Sequence, residues 1–301
     1  MTRVGGALGG KNLVIRLEGE FHDEKVRPTS EIDVPIDQRS NRFNASLGLA
    51  LGWRHELTLV YERSRIDLRD SMLVLEDAPV EDRLNRSEEN YVLRIARRLT
   101  GKTSLVLEGN FRRWDFDDDD LRRDAREYGA MSGFVFAPRG NLRGQALLGF
   151  QRLAAYAAGE ADFQGLVGAV DVEMNLGERL RLRALYSRAP EASALGANRF
   201  FIENRAGGSA EMFLVRSFSI EPGVMVGRNR YRRPETLEGE AGLPIERRIV
   251  DRSRTFSLGL HYYLQPAWSI DLGASYLERI SNFQAFDKER LLVNLGISTR
   301  F

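Results

Sequence analysis

The segment LLVNLGISTRF, residues 291–301, alternates along its whole length and decides the fold class. One side of the extended chain carries Leu291, Val293, Leu295, Ile297, Thr299 and Phe301, and the other carries Leu292, Asn294, Gly296, Ser298 and Arg300. A period of two predicts a β-strand. Because the apolar side runs to the final aromatic residue, we expect either a protein core or lipid to cover it.

The composition argues against nucleic-acid binding and against cysteine chemistry. Of 301 residues, 43% are hydrophobic and 29% charged, and 44 Lys and Arg balance 43 Asp and Glu, so the net charge is +1. The chain has no cysteine, which excludes disulfides and thiolate metal ligands. No run approaches the roughly 20 apolar residues of a membrane helix. Residues 1–11, MTRVGGALGGK, lack the apolar core of a secretory signal, so a signal removed before Met1 and a longer parent chain both remain open.

Short turns and long polar connections alternate between the apolar segments. The predicted turns lie at 52–56, 100–103, 137–141, 175–179, 215–217 and 264–267. Gly, Pro and Asn, which most of these turns contain, suit sharp reversals of the chain. The long connections include 23–39, 65–86, 115–125 and 232–251, which are rich in Asp, Glu, Arg and Pro. This alternation is typical of an outer-membrane barrel, in which short turns face the periplasm and long loops face outside.

The turns divide the chain into about fourteen strands, and no helix of useful length is predicted. The predicted strands span 11–22, 40–51, 56–66, 87–99, 103–114, 126–136, 141–153, 163–174, 179–188, 198–214, 217–231, 252–263, 267–279 and 288–301. An even number of strands places both chain termini at the periplasmic side. The sequence therefore predicts an all-β fold, a transmembrane antiparallel up-and-down β-barrel over residues 11–301, preceded by a flexible entry at residues 1–10.

Charged and apolar residues separate onto opposite faces of these strands. The lipid face is assigned residues such as Leu13, Ile15, Leu17, Leu47, Leu107, Phe256 and Leu258. The lumen-lining residues are predicted to be Arg16, Glu18, Arg42, Glu62, Arg94, Arg98, Glu108, Arg112, Arg181, Arg183, Glu203, Arg205, Glu211, Arg254, His261 and Asp271. A soluble sandwich would bury its apolar face instead, and alternation alone does not separate the two geometries.

Aromatic residues favour the barrel over the sandwich, because they cluster near strand ends. Near the loops stand Phe21, Phe43, Tyr61, Tyr91, Phe111, Tyr128 and Phe150, among others. Near the turns stand the membrane-girdle candidates Trp53, Phe136, Phe218, Trp268 and Phe301. Two such rings are typical of the two headgroup levels of a bilayer, whereas a sandwich core would hold its aromatic residues in mid-strand.

Three stretches carry a resemblance to a known family. They are YLERISNFQAFDKERLLVNLGISTRF at residues 276–301, LHYYLQPAWSIDLGASY at residues 260–276, and the segment from REYGAMSGFVF at residue 126 to LYSR at residue 188. In the spacing of their strands and the residue pattern of their turns, they resemble the β-barrel porin type 2 proteins. The resemblance extends from about residue 40 to Phe301. The resemblance implies that Leu295, Ile297, Thr299 and Phe301 form the signal read by the barrel-assembly machinery. It also implies an association with exopolysaccharide export.

The lumen residues allow two interpretations. Arginine recognises carboxylates in bidentate geometry, so the lining could form a path for an anionic polysaccharide. Alternatively, Arg and Glu on neighbouring strands pair and only hold the wall together. A lining of mixed sign predicts modest selectivity, because opposite charges cancel over a Debye length of roughly 10 Å.

Other candidate sites give weak signals. Asp115, Asp117 and Asp119 match the start of a calcium loop, but Asp120 stands where glycine is needed and Arg126 where glutamate is needed, so a solvated loop is the simpler interpretation. His22, His55 and His261 lie far apart, and no partner for a catalytic histidine is evident. We expect no enzyme activity, no cofactor and no metal.

The expected function is an outer-membrane channel, a passive pore or exporter linked to polysaccharide secretion. The alternative is a structural barrel with a closed lumen that docks another envelope or surface protein, and a barrel enzyme is the third class. The expected partners are outer-membrane lipid and lipopolysaccharide, the barrel-assembly machinery, and polysaccharide-export or other envelope proteins. The expected location is the outer membrane of a Gram-negative bacterium.

Overall fold

A computed structural model describes residues 2–10, 12–27, 29, 31–32, 34–69, 74–75, 78–118, 123–137, 140–155, 163–195, 198–238, 244–265, 268–282 and 286–299. The strands are β1 (Thr2–Gly9), β2 (Leu13–Val26), β3 (Ile36–Leu51), β4 (His55–Arg69), β5 (Val74–Leu75), β6 (Ala78–Pro79), β7 (Arg86–Arg98), β8 (Thr103–Phe116), β9 (Ala125–Phe136), β10 (Leu142–Ala155), β11 (Phe163–Leu176), β12 (Leu180–Ala192), β13 (Phe200–Val215), β14 (Phe218–Glu238), β15 (Pro244–Gln265), β16 (Trp268–Ser281) and β17 (Lys288–Thr299). One short helix, α1 (Val80–Leu84), precedes β7. Among the described residues no helix is long and apolar enough to span a bilayer.

Fifteen strands form one antiparallel sheet in chain order, which confirms the predicted all-β up-and-down topology. The small hairpin of β5 and β6 stands apart from this sheet. The strand count differs from the predicted fourteen because of β1. Residues 1–10 were predicted to be a flexible entry, but Thr2–Gly9 pair with β2 from Thr2↔Phe21 to Gly9↔Val14. The glycines of GGALGG masked the alternation there, since glycine has no side chain to mark a face.

The short turns lie where the sequence predicts them. Each predicted turn falls between consecutive strands, although those at 137–141 and 264–267 lie partly outside the described residues. Gly52 and Gly177 sit in two of these turns with φ of 73° and 67°. Only glycine adopts this left-handed conformation without a steric penalty, so it permits the sharp reversal.

Parts of the long connections are more ordered than the sequence predicts. The connection assigned to 232–251 is mostly strand, because β14 continues to Glu238 and pairs with β15 as far as Pro244. The connection assigned to 65–86 contains the β5–β6 hairpin and α1. Charged, Arg-rich sequence suggested loops here, yet strand pairing uses backbone groups, which charged residues supply as well as apolar ones do.

The chain divides into two compact units. The first comprises Met1–Phe134, Leu147–Val167 and Pro190–Phe201, and the second comprises Val135–Ala146, Gly168–Ala189 and Ile202–Phe301. In each unit one face of the sheet presents large apolar side chains to the surroundings, as Leu107 (57% exposed) and Leu258 (46%) illustrate. A soluble sandwich would bury such a face, whereas contiguous exposed apolar surface indicates contact with lipid or protein.

Candidate polar lining, aromatic ladder and loop-end cluster

The strand register of the first unit collects the predicted lumen residues on one face. Cross-strand partners in an antiparallel pair share a face. Glu18 lies opposite Asn44, Asn44 opposite Glu62, Glu62 opposite Asn90, and Asn90 opposite Arg112. By the same alternation this polar face holds Arg16, Glu18, Arg42, Glu62, Arg94, Arg98, Glu108 and Arg112. All eight residues that the sequence assigns to the lumen in β2–β8 therefore share one surface.

Ion pairs link neighbouring strands along this polar face. Arg94 donates to Glu108 Oε2 from Nε at 2.8 Å and from Nη2 at 2.6 Å. Arg42 Nε lies 3.0 Å from Glu62 Oε1. Glu127, only 2% exposed, accepts from Asn110 at 3.2 Å. The wall of the first unit is therefore held by charge-assisted hydrogen bonds between adjacent strands.

The second unit has a polar face of the same kind. Arg181 Nη1 donates to Glu211 at 2.7 Å, and Glu211 also accepts from Ser219 at 2.8 Å and from Tyr263 at 3.0 Å. Arg183 makes a bidentate pair with Asp171 at 3.0 and 2.8 Å.

The remaining predicted residues of the second unit are also paired. The side chain of Arg205 lies 2.7 Å from that of Glu203. His261 Nδ1 lies 2.7 Å from Asp271 Oδ1, and its Nε2 lies 3.5 Å from Glu221. The sequence indicated no partner for His261, and the register supplies one by placing Asp271 directly opposite.

Arg254 requires a correction. His261 lies seven positions further along β15, in a stretch with unbroken register, so the two side chains lie on opposite faces. Arg254 shares its face with Phe256 and Leu258, which are 52% and 46% exposed. Glu278 lies directly opposite Arg254 in the register, so a residue of opposite charge shares its face.

Aromatic side chains of five adjacent strands form a ladder on the apolar face of the first unit. Ring centroids are 6.4 Å apart for Phe43 and Tyr61, 5.0 Å for Tyr61 and Tyr91, 6.0 Å for Tyr91 and Phe111, and 5.1 Å for Phe111 and Tyr128. These five are among the residues that the sequence places in a ring near the loops. We call them the aromatic ladder. Such a belt is typical of the headgroup level of a membrane.

The turn-side girdle candidates lie at strand ends. Trp53 occupies the β3–β4 turn and is 71% exposed, with the guanidinium of Arg54 3.8 Å from its ring centroid. Phe136 ends β9, Phe218 begins β14, and Trp268 begins β16. Phe301 lies outside the described residues.

The terminal strand keeps the predicted alternation. Leu295 and Ile297 of β17 are 75% and 69% exposed on the apolar face. Thr299, which lies opposite Trp268, is the last residue of β17. The assembly-signal role of these residues and of Phe301 stays a prediction.

Four long connections of the first unit pack together into what we call the loop-end cluster, which consists of the described residues within 27–35, 74–85, 117–124 and 193–199. Its apolar members, each at most 3% exposed, are Ile32, Val80, Leu84, Ala194 and Leu195. Glu31 accepts from Ser193 Oγ at 2.6 Å and from the backbone N–H of Ala194. No local pattern in the sequence predicts this cluster, because Glu31 and Ser193 are 162 residues apart.

Two arginines complete the loop-end cluster. Arg83 Nη1 donates to Ala194 O at 3.2 Å, and Arg123 donates to the carbonyl oxygens of Ser193 and Leu195. The pKa of Arg123 is lowered to about 10, chiefly by burial away from water; Glu31 opposes this shift and neighbouring arginines add to it. The cluster is therefore a packed structure with buried polar bonds.

Two acidic residues of the candidate calcium loop, Asp115 and Asp117, are described by the structure, and both pair with arginine side chains. Asp115 lies 2.7 Å from Arg113 Nε, and Asp117 accepts from Arg65 at 2.7 Å. Asp119 and Asp120 lie outside the described residues. No group of three or more metal-ligating side chains occurs within the described part of the chain.

A long antiparallel up-and-down sheet, with one apolar and one charged face and an aromatic belt, defines an outer-membrane β-barrel protein. The chain belongs to the family described as "Putative beta-barrel porin 2", which matches residues 27–301. No curated protein matches it.

Two solved structures share the fold. The FrpB iron transporter from Neisseria meningitidis (F5-1 variant) is 10% identical with a TM-score of 0.52, covering 92% of this chain and 52% of its own. The pyoverdine outer membrane receptor FpvA from Pseudomonas aeruginosa PAO1 is 12% identical with a TM-score of 0.50, covering 96% of this chain and 54% of its own. The chain thus spans about half the length of these structures.

Proposed function

We propose that the protein is an outer-membrane channel for polar solutes, with the polar face of the sheet lining its lumen. The observation that carries this proposal is the continuous row of charged and amide side chains from Glu18 through Glu62 to Arg112. A hydrated pathway stabilises such side chains, whereas lipid would penalise them. We propose no catalytic role.

The solute class that fits this lining best is an anionic polysaccharide. Arg94 and Arg42 are 35% and 56% exposed on the polar face, so each guanidinium has an open edge beside its glutamate partner. A carboxylate on a uronic acid could exchange with such a glutamate, since both offer the same two oxygens. Exchange among many weak sites allows a charged polymer to move along the wall.

Planar-bilayer recordings test the channel. Refolded protein should give discrete conductance steps, and an anionic uronic-acid oligosaccharide should block them more strongly than a neutral glucose oligosaccharide of equal length. Equal block by the two sugars would contradict the polysaccharide assignment while leaving the channel intact.

A scaffold with a closed lumen is the second candidate, and the loop-end cluster favours it. This cluster is packed to 3% exposure or less at five apolar side chains, unlike loops that hang freely in solvent. If the cluster blocks passage, correctly folded protein would be electrically silent. Heat-modifiable gel mobility is the mark of a folded barrel. Protein that shows this mobility but no conductance would therefore be assigned the scaffold function and not the channel function.

A further inference from the structure

The apolar face of the first unit carries a band of arginines immediately beyond the aromatic ladder. Arg63 lies two residues beyond Tyr61, and Arg113 lies two residues beyond Phe111, in both cases toward the long connections. A spacing of two keeps each arginine on the face of its aromatic neighbour. The same spacing relates Arg126 to Tyr128 and Arg152 to Phe150. The headgroup band, as we call it, consists of Arg63, Glu89, Arg113, Arg126 and Arg152.

The strand register places three members of the headgroup band on one level of the sheet. Arg63 lies opposite Glu89, and Glu89 lies opposite Arg113. Neighbouring strands are about 4.8 Å apart, so successive members of the band fall within reach of one multivalent ligand.

The headgroup band is exposed and positively charged. The four arginines are exposed, whereas Glu89 is half-buried. Four guanidinium groups against one carboxylate leave an excess of three positive charges, or two when Asp115, the partner of Arg113 at 2.7 Å, is included. A charge excess on the membrane-facing surface, at the level of an aromatic belt, fits an anion held at that depth.

An apolar groove of about 1010 Å³ runs beneath the headgroup band on the same face. Its apolar lining includes Leu17, Leu47, Leu59 and Leu93. The groove also reaches Arg152 and four residues of the aromatic ladder, namely Tyr61, Tyr91, Phe111 and Tyr128. Gly109, opposite Leu93, adds no side chain to this face and so deepens the groove. The groove therefore offers an apolar surface for a hydrocarbon chain, and this surface ends below a cluster of cationic side chains.

We propose that this surface binds the phosphorylated headgroup of lipopolysaccharide, with an acyl chain lying in the groove. Arginine pairs with phosphate in bidentate geometry, and a headgroup with several phosphates can engage two or more arginines of the band at once. The band lies at the end of the long connections, which is the outer side of an outer-membrane barrel and therefore the lipopolysaccharide leaflet. This inference rests on the proposed outer-membrane location.

Binding of labelled, purified lipopolysaccharide to the full chain, refolded in neutral detergent, tests the site by fluorescence anisotropy. The double variant R63Q/R113Q should bind about 25-fold more weakly, since each arginine near a charged lipid surface contributes about fivefold. E89Q, which removes the one carboxylate of the band, should bind more tightly. The matched control is R97Q, because Arg97 is also an exposed arginine on the apolar face but lies at the turn end of β7.

Competition identifies the source of the phosphate. Unlabelled bisphosphorylated lipid A should displace the label, and dephosphorylated lipid A should not. Equal loss of binding in R63Q/R113Q and R97Q, unchanged binding in R63Q/R113Q, or equal competition by phosphatidylglycerol would each overturn the site.

Heat-modifiable gel mobility verifies the fold of every variant. If the wild type failed to fold in detergent, the outer-membrane proposal itself would fall, whereas a folded wild type without this preference would remove only the lipid site.

Discussion

Burial decides how much each ion pair of this protein contributes to stability. Arg279 and Asp251, at the loop end of β15 and β16, are 6% and 2% exposed and hydrogen-bond to each other. Arg183 and Asp171 form a better-shaped bidentate pair, but their side chains are 48% and 53% exposed. Water screens the second pair and not the first.

We therefore expect the two arginine-to-alanine substitutions to differ widely. Arg279→Ala leaves the carboxylate of Asp251 buried without its cation and should lower the free energy of unfolding by about 3 to 5 kcal/mol. Arg183→Ala should change it by less than about 1 kcal/mol. Denaturant titration of protein refolded into lipid vesicles measures both, and a comparable loss in the two variants would refute the burial argument.

Adjacent residues of β15 test the assignment of the two faces. Leu258 and Ser257 lie at the same depth but on opposite faces. Leu258→Arg places a cation in hydrocarbon and should cost about 2 to 4 kcal/mol, whereas Ser257→Arg on the polar face should cost little. The free energy of unfolding in vesicles gives both values. Similar costs would mean that the faces do not separate lipid from water.

At the scale of elements, the sequence predicts what is local and misses what is distant. The strands and turns follow from side-chain alternation and turn residues, which neighbouring positions determine. Strand β1 was not predicted, because its glycines have no side chains to show which face they belong to. Arg254 was misplaced because its charge was weighed above its position in the alternation. The loop-end cluster depends on contacts such as that between Arg123 and Ser193, 70 residues apart, and no local pattern encodes them.

The loop-end cluster should open when Arg123 is removed. Arg123→Ala leaves the carbonyl oxygens of Ser193 and Leu195 without this donor, and a buried acceptor without a partner costs about 1 to 3 kcal/mol. We expect faster tryptic cleavage after Arg199 in this variant, with the strands of the sheet still protected. Lys102→Ala, at an exposed short turn, is the control and should cleave like the wild type. Unchanged cleavage in Arg123→Ala would show that the cluster does not depend on this arginine.

For the whole molecule, charge of both signs on one face determines what a channel could select. Glu18 and Glu62 alternate along one row with Asn44 and Asn90 and end at Arg112. Fields from such opposite charges cancel within a Debye length of roughly 10 Å. Size and binding to individual arginines would then matter more than the net charge of the solute.

Ion selectivity should accordingly be weak and should respond to the row of glutamates. In a salt gradient across a planar bilayer, the cation-to-anion permeability ratio of the wild type should lie within about a factor of three of unity. Glu18→Gln combined with Glu62→Gln removes two negative charges from the polar face and should shift the reversal potential toward anions. Glu289→Gln, an exposed glutamate on the apolar face of β17, should leave it unchanged. If Glu289→Gln shifted the reversal potential as much as the double variant did, the polar face could not be the surface that permeating ions meet.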